Sequence, residues 1–375
     1  MKLYRVGVIA GLLASAVALA ACSSSKTNTS ASSSSSSGGG SSATSAAPAC
    51  SSGKLNAQGS TAQTNAVNAW IKAYQTACSG ATINYNPTGS GAGVTAFNAN
   101  QDDFAGSDSA LSPSKGEYAA AQKRCGSAPM DLPMVVGPIA IAFKLSGVTS
   151  LTLTGPVIAK IFLGKITTWN DPAITALNSG ATLPATKISV IYRSDSSGTT
   201  QNFERYLAAT APDVFTTTPD KDSSKAGFAG QGKAKSQGVA AAIAATEGAI
   251  GYDEYSFAVS SGLSTAKIDN GGGAVDLSKD TASAAAQAAT VKASGTGDLS
   301  LSIDYATKTP GAYPIILVTY EIVCTKYSSA ATGTFVKNFL SYTADAGQAA
   351  LPGLGYAPLP ASLQTQVKAS IATIS

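Results

Sequence analysis

The chain has 375 residues, only 12% of them charged, a formal charge of +4 and no histidine. Without histidine, Ser-His-Asp and Cys-His nucleophiles, histidine general bases and His-ligated zinc are all excluded. The length suffices for a large core or two domains, and the lack of any basic run or aromatic-basic interleaving argues against nucleic acid as a partner.

Residues 1–22 read as a secretory signal: Lys2 and Arg5 give a basic start, Val6 to Ala18 is an apolar run, and LAAC closes it at Cys22. Small residues followed directly by cysteine resemble a bacterial lipobox, which implies cleavage before Cys22 and fatty acylation of the new terminus. The apolar stretch is short for a membrane span. Residues 23–49 form a Ser/Gly/Ala tract without apolar periodicity, expected to be a disordered tether with a reach of roughly 30 Å. The export signal implies an oxidising compartment, where Cys50, Cys78, Cys125 and Cys324 make two disulfides. Sequence alone allows three pairings. Cys50–Cys78 with Cys125–Cys324 is favoured because the first pair brackets one strand-helix unit, and the absence of CxxC spacing argues against metal ligation.

From Lys54 the pattern is strand, turn, helix: KLNAQ alternates, GST turns, and Val67, Trp70, Ile71 and Tyr74 recur at helical spacing, as a helix packed on a sheet requires. TINYN from Thr82 predicts a second strand, Thr88 to Gly93 a turn, and Val94 to Asn100 a helix start. Asp102 to Asp108 predicts a short strand ending in a polar turn, and LPMVVGPIAIAF from Leu132 a long strand buried on both faces. Gly155 to Ile174 predicts a helix closed by Gly164, then a turn on Asn170-Asp171-Pro172. KISVI before Tyr192 predicts a strand, Phe203 opens a helix, and Glu247 to Ala258 supplies another strand. A long apolar strand returns at Tyr313, followed by a helix from Phe335. Strands alternate with helices, so the fold class is α/β with a largely parallel sheet. If the two long strands are crossovers, the lobes are 51–133 plus 314–375, and 134–313, with a ligand cleft between them.

Four polar turns share a character: Gly59–Ala62, Gly89–Gly91, Gly106–Leu111 and Arg193–Thr199. Each follows a strand, and in open α/β sheets ligands collect at the carboxyl ends of strands. Hydroxyls, glycine-exposed N–H groups, one arginine and few carboxylates suit a tetrahedral oxyanion. No GxxxxGK[ST] loop occurs, so nucleotide binding is unsupported. Singly, each turn reads more readily as a helix cap; the repetition points to binding.

Together GST, TGSGAG, GSD followed by LS, GKITTWNDPAI, RSDSSGT, GAIGY and the closing IATIS resemble the phosphate-binding lipoproteins of phosphate-specific ABC transporters, over about Leu55 to Ser375. The resemblance implies a type II periplasmic-binding-protein fold, two α/β lobes with a two-segment hinge and ligand cleft. It implies that phosphate is bound by the Thr61 hydroxyl, the Ala62 N–H and the Ser90 hydroxyl and N–H. Asp108 accepts the phosphate proton, and Arg193, Ser197, Gly198 and Thr199 close the shell from the other lobe. Ser60 stands behind these ligands, and Asp195 fixes the Arg193 guanidinium. Some relatives carry a larger apolar residue where this chain has Ala62. The implied partners are inorganic phosphate, permease subunits with their ATPase, and a membrane reached through the lipid on Cys22, on the outer face of the cell. The protein is expected to be monomeric, with no cofactor, metal or catalytic activity.

Physical chemistry supports Asp108 independently. Phosphate near neutral pH carries at least one proton and sulfate none, so a buried carboxylate pairs with the first and repels the second. A receptor for sulfate or molybdate would want only donors. SPSK at Ser112–Lys115 fits the S-x-x-K pattern of serine enzymes, but neither SDN nor KTG accompanies it. A surface adhesin on the same lobes is the remaining alternative.

Overall fold

The structure, a computed structural model, describes residues 47–292 and 297–375; the signal peptide, Cys22 and most of the tether expected from the sequence lie outside these residues. A nine-stranded sheet organises the described chain. Its strands are β1 (Gly53–Gly59), β2 (Ala81–Pro87), β3 (Phe104–Ser107), β4 (Pro129–Phe143), β5 (Ser189–Arg193), β6 (Gln231–Lys233), β7 (Ala249–Glu254), β8 (Ser264–Thr265) and β9 (Ile316–Cys324). They lie in the order β2-β1-β3-β9-β4-β7-β5-β6, with β8 beside β4.

The expectation of a largely parallel sheet needs correction. β1, β2 and β3 are mutually parallel, as are β5, β6 and β7, but β9 runs antiparallel to both β3 and β4, and β4 antiparallel to β7. β4 has 15 residues, every one buried, and reaches from one parallel set to the other, with β9 and β7 antiparallel to it on its two sides.

Two apolar cores lie along this sheet. The first gathers Leu55, Trp70, Tyr74, Phe97, Phe104, Leu132, Val318, Ile322 and Phe339; the second gathers Ile141, Phe143, Phe162, Trp169, Phe203, Tyr206, Tyr252 and Leu317. Of the sheet's strands, β4 and β9 feed both, β4 with Leu132 and Ile141, β9 with Val318 and Leu317. Disulfides join Cys50 to Cys78 and Cys125 to Cys324. The second ties the end of α3 (Glu117–Cys125, after α1, Thr64–Ala77, and α2, Ser90–Asn98) to the end of β9.

Helices begin earlier than the apolar periodicity suggests. α2 starts at Ser90 rather than Val94, because Gly89 adopts φ 103°, a conformation that turns the chain directly from β2 into the helix. After α4 (Gly155–Phe162), α5 runs Gly198–Thr210 rather than from Phe203; Ser197 caps it by accepting the Thr200 N–H at 3.3 Å. α6 spans Lys235–Ala245. Pro172–Thr175 forms a separate turn of helix capped by Asp171. Among the described residues no helix is long and apolar enough to cross a membrane.

Candidate functional site

The four polar turns leave the carboxyl ends of β1, β2, β3 and β5, and the fold brings them to one point. Ser60, Thr61, Ala62, Ser90, Asp108, Arg193, Ser197 and Thr199 are each 3% exposed or less. Gly198 packs so tightly that an added Cβ would stand 2.7 Å from the Asp108 Cβ and 2.8 Å from Ser90 Oγ. The first turn of α5, from the second core's segment, is therefore pressed against turns of the first. Four N–H groups at a helix start have no intrahelical partner, so α5 and α2 aim donors and positive dipole ends at this point.

Asp108 is the hub. Its Oδ1 accepts from the Ser60 hydroxyl and from Thr319 Oγ1 at 2.8 Å; its Oδ2 accepts from Thr199 Oγ1 at 3.0 Å and Ser90 Oγ at 3.3 Å. Asn202 Nδ2 donates to the Asp108 carbonyl at 2.6 Å and to that of Gly198 at 2.8 Å, tying the two turns by their main chains. Buried polar groups need such partners, and here they come from the turn after β1, from β9 and from the starts of α2 and α5.

Arg193, at the end of β5, is held in a fork by Asp195: Nε donates to Oδ1 at 2.8 Å and an Nη to Oδ2 at 2.5 Å. This is the planar geometry that lysine cannot reproduce. Burial acts to raise the Asp195 pKa, but hydrogen bonds and charge from Arg193 outweigh it and hold the carboxyl below its ordinary value. The other guanidinium Nη approaches Ser236 Oγ at 3.5 Å, and Ser236 Oγ meets Thr61 Oγ1 at 3.0 Å. Behind them Asp253 is fully buried, and desolvation pushes its carboxyl up to about 8 although Arg193 pulls it down.

Some expected ligands are occupied within the protein. The Ala62 N–H donates to Ser60 Oγ at 3.1 Å, and the Ser197 N–H to the Lys221 carbonyl at 2.8 Å. Lys115 Nζ lies 2.6 Å from Asp220, an ion pair that draws it away from the S-x-x-K role. Among the described residues no cluster of three or more acidic, Cys or His side chains could hold a metal.

Three residues escaped the sequence reading. Thr319 lies inside an apolar strand, and Ser236 follows Lys235, which carries an unusual φ of 65° for a non-glycine. Lys221, 5% exposed, sits in an irregular segment and pairs with Glu117 of α3 at 2.8 and 3.0 Å. Only the polar interruption VTYE in an apolar run was a usable signal.

A site of hydroxyls, helix starts, one guanidinium and one carboxylate, without an activated nucleophile, is built to hold an oxyanion that bears a proton. The sequence matches the PBP superfamily domain over residues 44–346. It is 46% identical over 300 residues to "Phosphate-binding protein PstS 3" of Mycobacterium tuberculosis, covering 79% of this chain and 80% of that protein. It is 33% identical to "Phosphate-binding protein PstS" of Xylella fastidiosa, covering 77% of each. Among solved structures, a high-affinity periplasmic phosphate-binding protein (PfluDING) with bound phosphate superposes with a TM-score of 0.67 at 26% identity, over 84% of this chain and 93% of that one.

Proposed function

We propose that this chain, which belongs to the PstS phosphate-binding proteins within the PBP superfamily, captures inorganic phosphate outside the cytoplasm and hands it to an ABC importer. The observation that carries the reading is Asp108: a buried carboxylate set among the hydroxyls of Ser90 and Thr199, next to the Arg193 fork. Thr61 and Ser90 bind from one side, joined by the Ala62 N–H once it leaves Ser60 Oγ, and Arg193, Gly198, Thr199 and the Ser197 hydroxyl bind from the other. Asp108 accepts the phosphate proton, Asp195 fixes the guanidinium, and Ser60 steadies the carboxylate. A site that hydrogen-bonds a proton rejects the ligand lacking it by orders of magnitude, so sulfate is excluded.

Two apolar cores support a division into two lobes, although Ala282, Ala285, Leu299 and Leu301 of the second segment pack in the first core and Ala62 in the second. Residues 51–133 plus 314–375 form one lobe and 134–313 the other, with the long strands β4 and β9 as a two-segment hinge. Cys22 carries the lipid that anchors the chain to the outer face of the membrane, residues 23–49 tether it, and a permease with its ATPase receives the closed, phosphate-loaded form. The protein works as a monomer without chemistry on its ligand.

Isothermal calorimetry tests this. The purified chain, stripped of anion by partial unfolding and refolding, is titrated with phosphate and then sulfate. The expected result is micromolar or tighter phosphate binding and no sulfate heat; silence with both anions refutes the reading, and sulfate binding moves the ligand to another oxyanion.

A further inference from the structure

We infer that Thr319, together with Ser60, is a positioning residue that fixes which oxygen of Asp108 meets the anion, and thereby contributes to phosphate selectivity; the inference rests on the phosphate reading above. All nine residues of β9 are buried, and Thr319 and Glu321 are the polar side chains on a face that Leu317 begins. A buried hydroxyl must find a partner. The ladder pairs Tyr320 with Ser107, so Thr319 stands opposite Asp108 where β3 ends. On the other edge the register with β4 slips at this very step: Thr319 pairs with Val135 and Tyr320 with Pro133, leaving Met134 as the extra residue. The bulge falls on β4, and such irregularities recur beside functional sites; on β9 the Thr319 hydroxyl lies 2.8 Å from Asp108 Oδ1.

A carboxylate oxygen has two in-plane lone pairs. On Oδ1 both are taken, one by Thr319 from the long strand and one by Ser60 from the turn after β1. Oδ2 is left to the hydroxyls of Thr199 and Ser90, themselves candidate ligands that can turn to an anion. A proton-bearing oxyanion therefore meets Oδ2 alone, in a fixed orientation, and a bare oxyanion meets the same oxygen as repulsion. Without the Thr319 hydroxyl the carboxylate is free to rotate, and its acceptor is no longer held opposite the phosphate proton.

The test uses the full chain, stripped of anion, with inorganic phosphate and sulfate as probes in calorimetry. Thr319→Val keeps the shape and removes the donor; Thr319→Ser restores it; Ser60→Ala attacks the same oxygen from a turn and carries the test alone if Thr319→Val does not fold. Thr319→Val and Ser60→Ala are expected to weaken phosphate binding ten- to a hundredfold, the range for a hydrogen bond to a charged group, and to narrow the phosphate-to-sulfate ratio. Thr319→Ser stays within threefold of wild type. Wild-type affinity and sulfate exclusion in Thr319→Val, or a loss that Thr319→Ser fails to restore, overturn the inference alone. A wild-type chain that gives no phosphate heat overturns the functional reading and this inference with it.

Discussion

Replacing Lys221 by Met should weaken phosphate retention more than any change at the surface pair beside it. Lys221 Nζ contacts both oxygens of Glu117, at 2.8 and 3.0 Å, and the two side chains are only 6% and 18% exposed. Glu117 belongs to α3 on the first core, Lys221 to the segment before β6 on the second, so the pair ties the two cores together. A fully buried pair broken on one side costs about 3–5 kcal/mol and an exposed pair about 0–1. Glu117 keeps the Ser112 N–H at 2.8 Å and some solvent, which places the cost near 2 kcal/mol, or roughly thirtyfold in affinity. The Met stem preserves packing, and the Lys221 carbonyl still holds the Ser197 N–H. Lys115–Asp220, with side chains 42% and 29% exposed, is a control: Lys115→Met should change affinity less than about fivefold. Calorimetry gives the affinities, and stopped-flow release should show the loss mainly as faster dissociation. A Kd for Lys221→Met within threefold of wild type refutes the argument. So does a fall in melting temperature that is as large without phosphate as with it, because the pair would then serve the fold rather than closure.

Gly198→Ala should lower phosphate affinity ten- to a hundredfold, together with some loss of melting temperature. Its Cβ needs space held by Asp108 and Ser90, and overpacking costs about 1–3 kcal/mol; undiminished affinity in calorimetry would exclude that close contact. Glu321 is fully buried, and desolvation raises its pKa from 4.5 to about 8. Its proton is held in the fold and lost in the unfolded chain, so its contribution is complete below about pH 4.5 and disappears as pH rises through about 8. Glu321→Gln should therefore shrink the fall in melting temperature between pH 5 and pH 8.5, an effect of the order of a few kcal/mol; an unchanged slope would disprove it.

The turns were legible because their residue types are unusual after strands: glycine, serine and aspartate at Gly106–Asp108, arginine and three serines at Arg193–Ser197. Helix starts were not, and for the same reason. The first turns of α2 and α5 are buried against the polar cluster at Asp108 rather than in a core, so they lack the apolar period by which helices are found. Strand direction was equally hidden, since an apolar run such as β4 reads alike in a parallel and an antiparallel sheet. Thr319 shows the limit most clearly. One hydroxyl within a buried strand looks like an ordinary β-branched residue until Asp108 is placed opposite it.

The Arg193–Asp195 fork has a further consequence. The guanidinium is already neutralised by Asp195 and the Asp108 carboxylate adds a negative charge, so an arriving anion finds no net positive charge and is held by hydroxyls and the ends of helices. Such dipoles act over short range and project almost no field into solvent, unlike a basic patch that steers ligands from a distance. Capture should then be indifferent to the salinity of the surroundings, an advantage for a receptor exposed to whatever medium bathes the cell. The same neutrality would make retention depend on exclusion of water and on fit rather than on a standing charge.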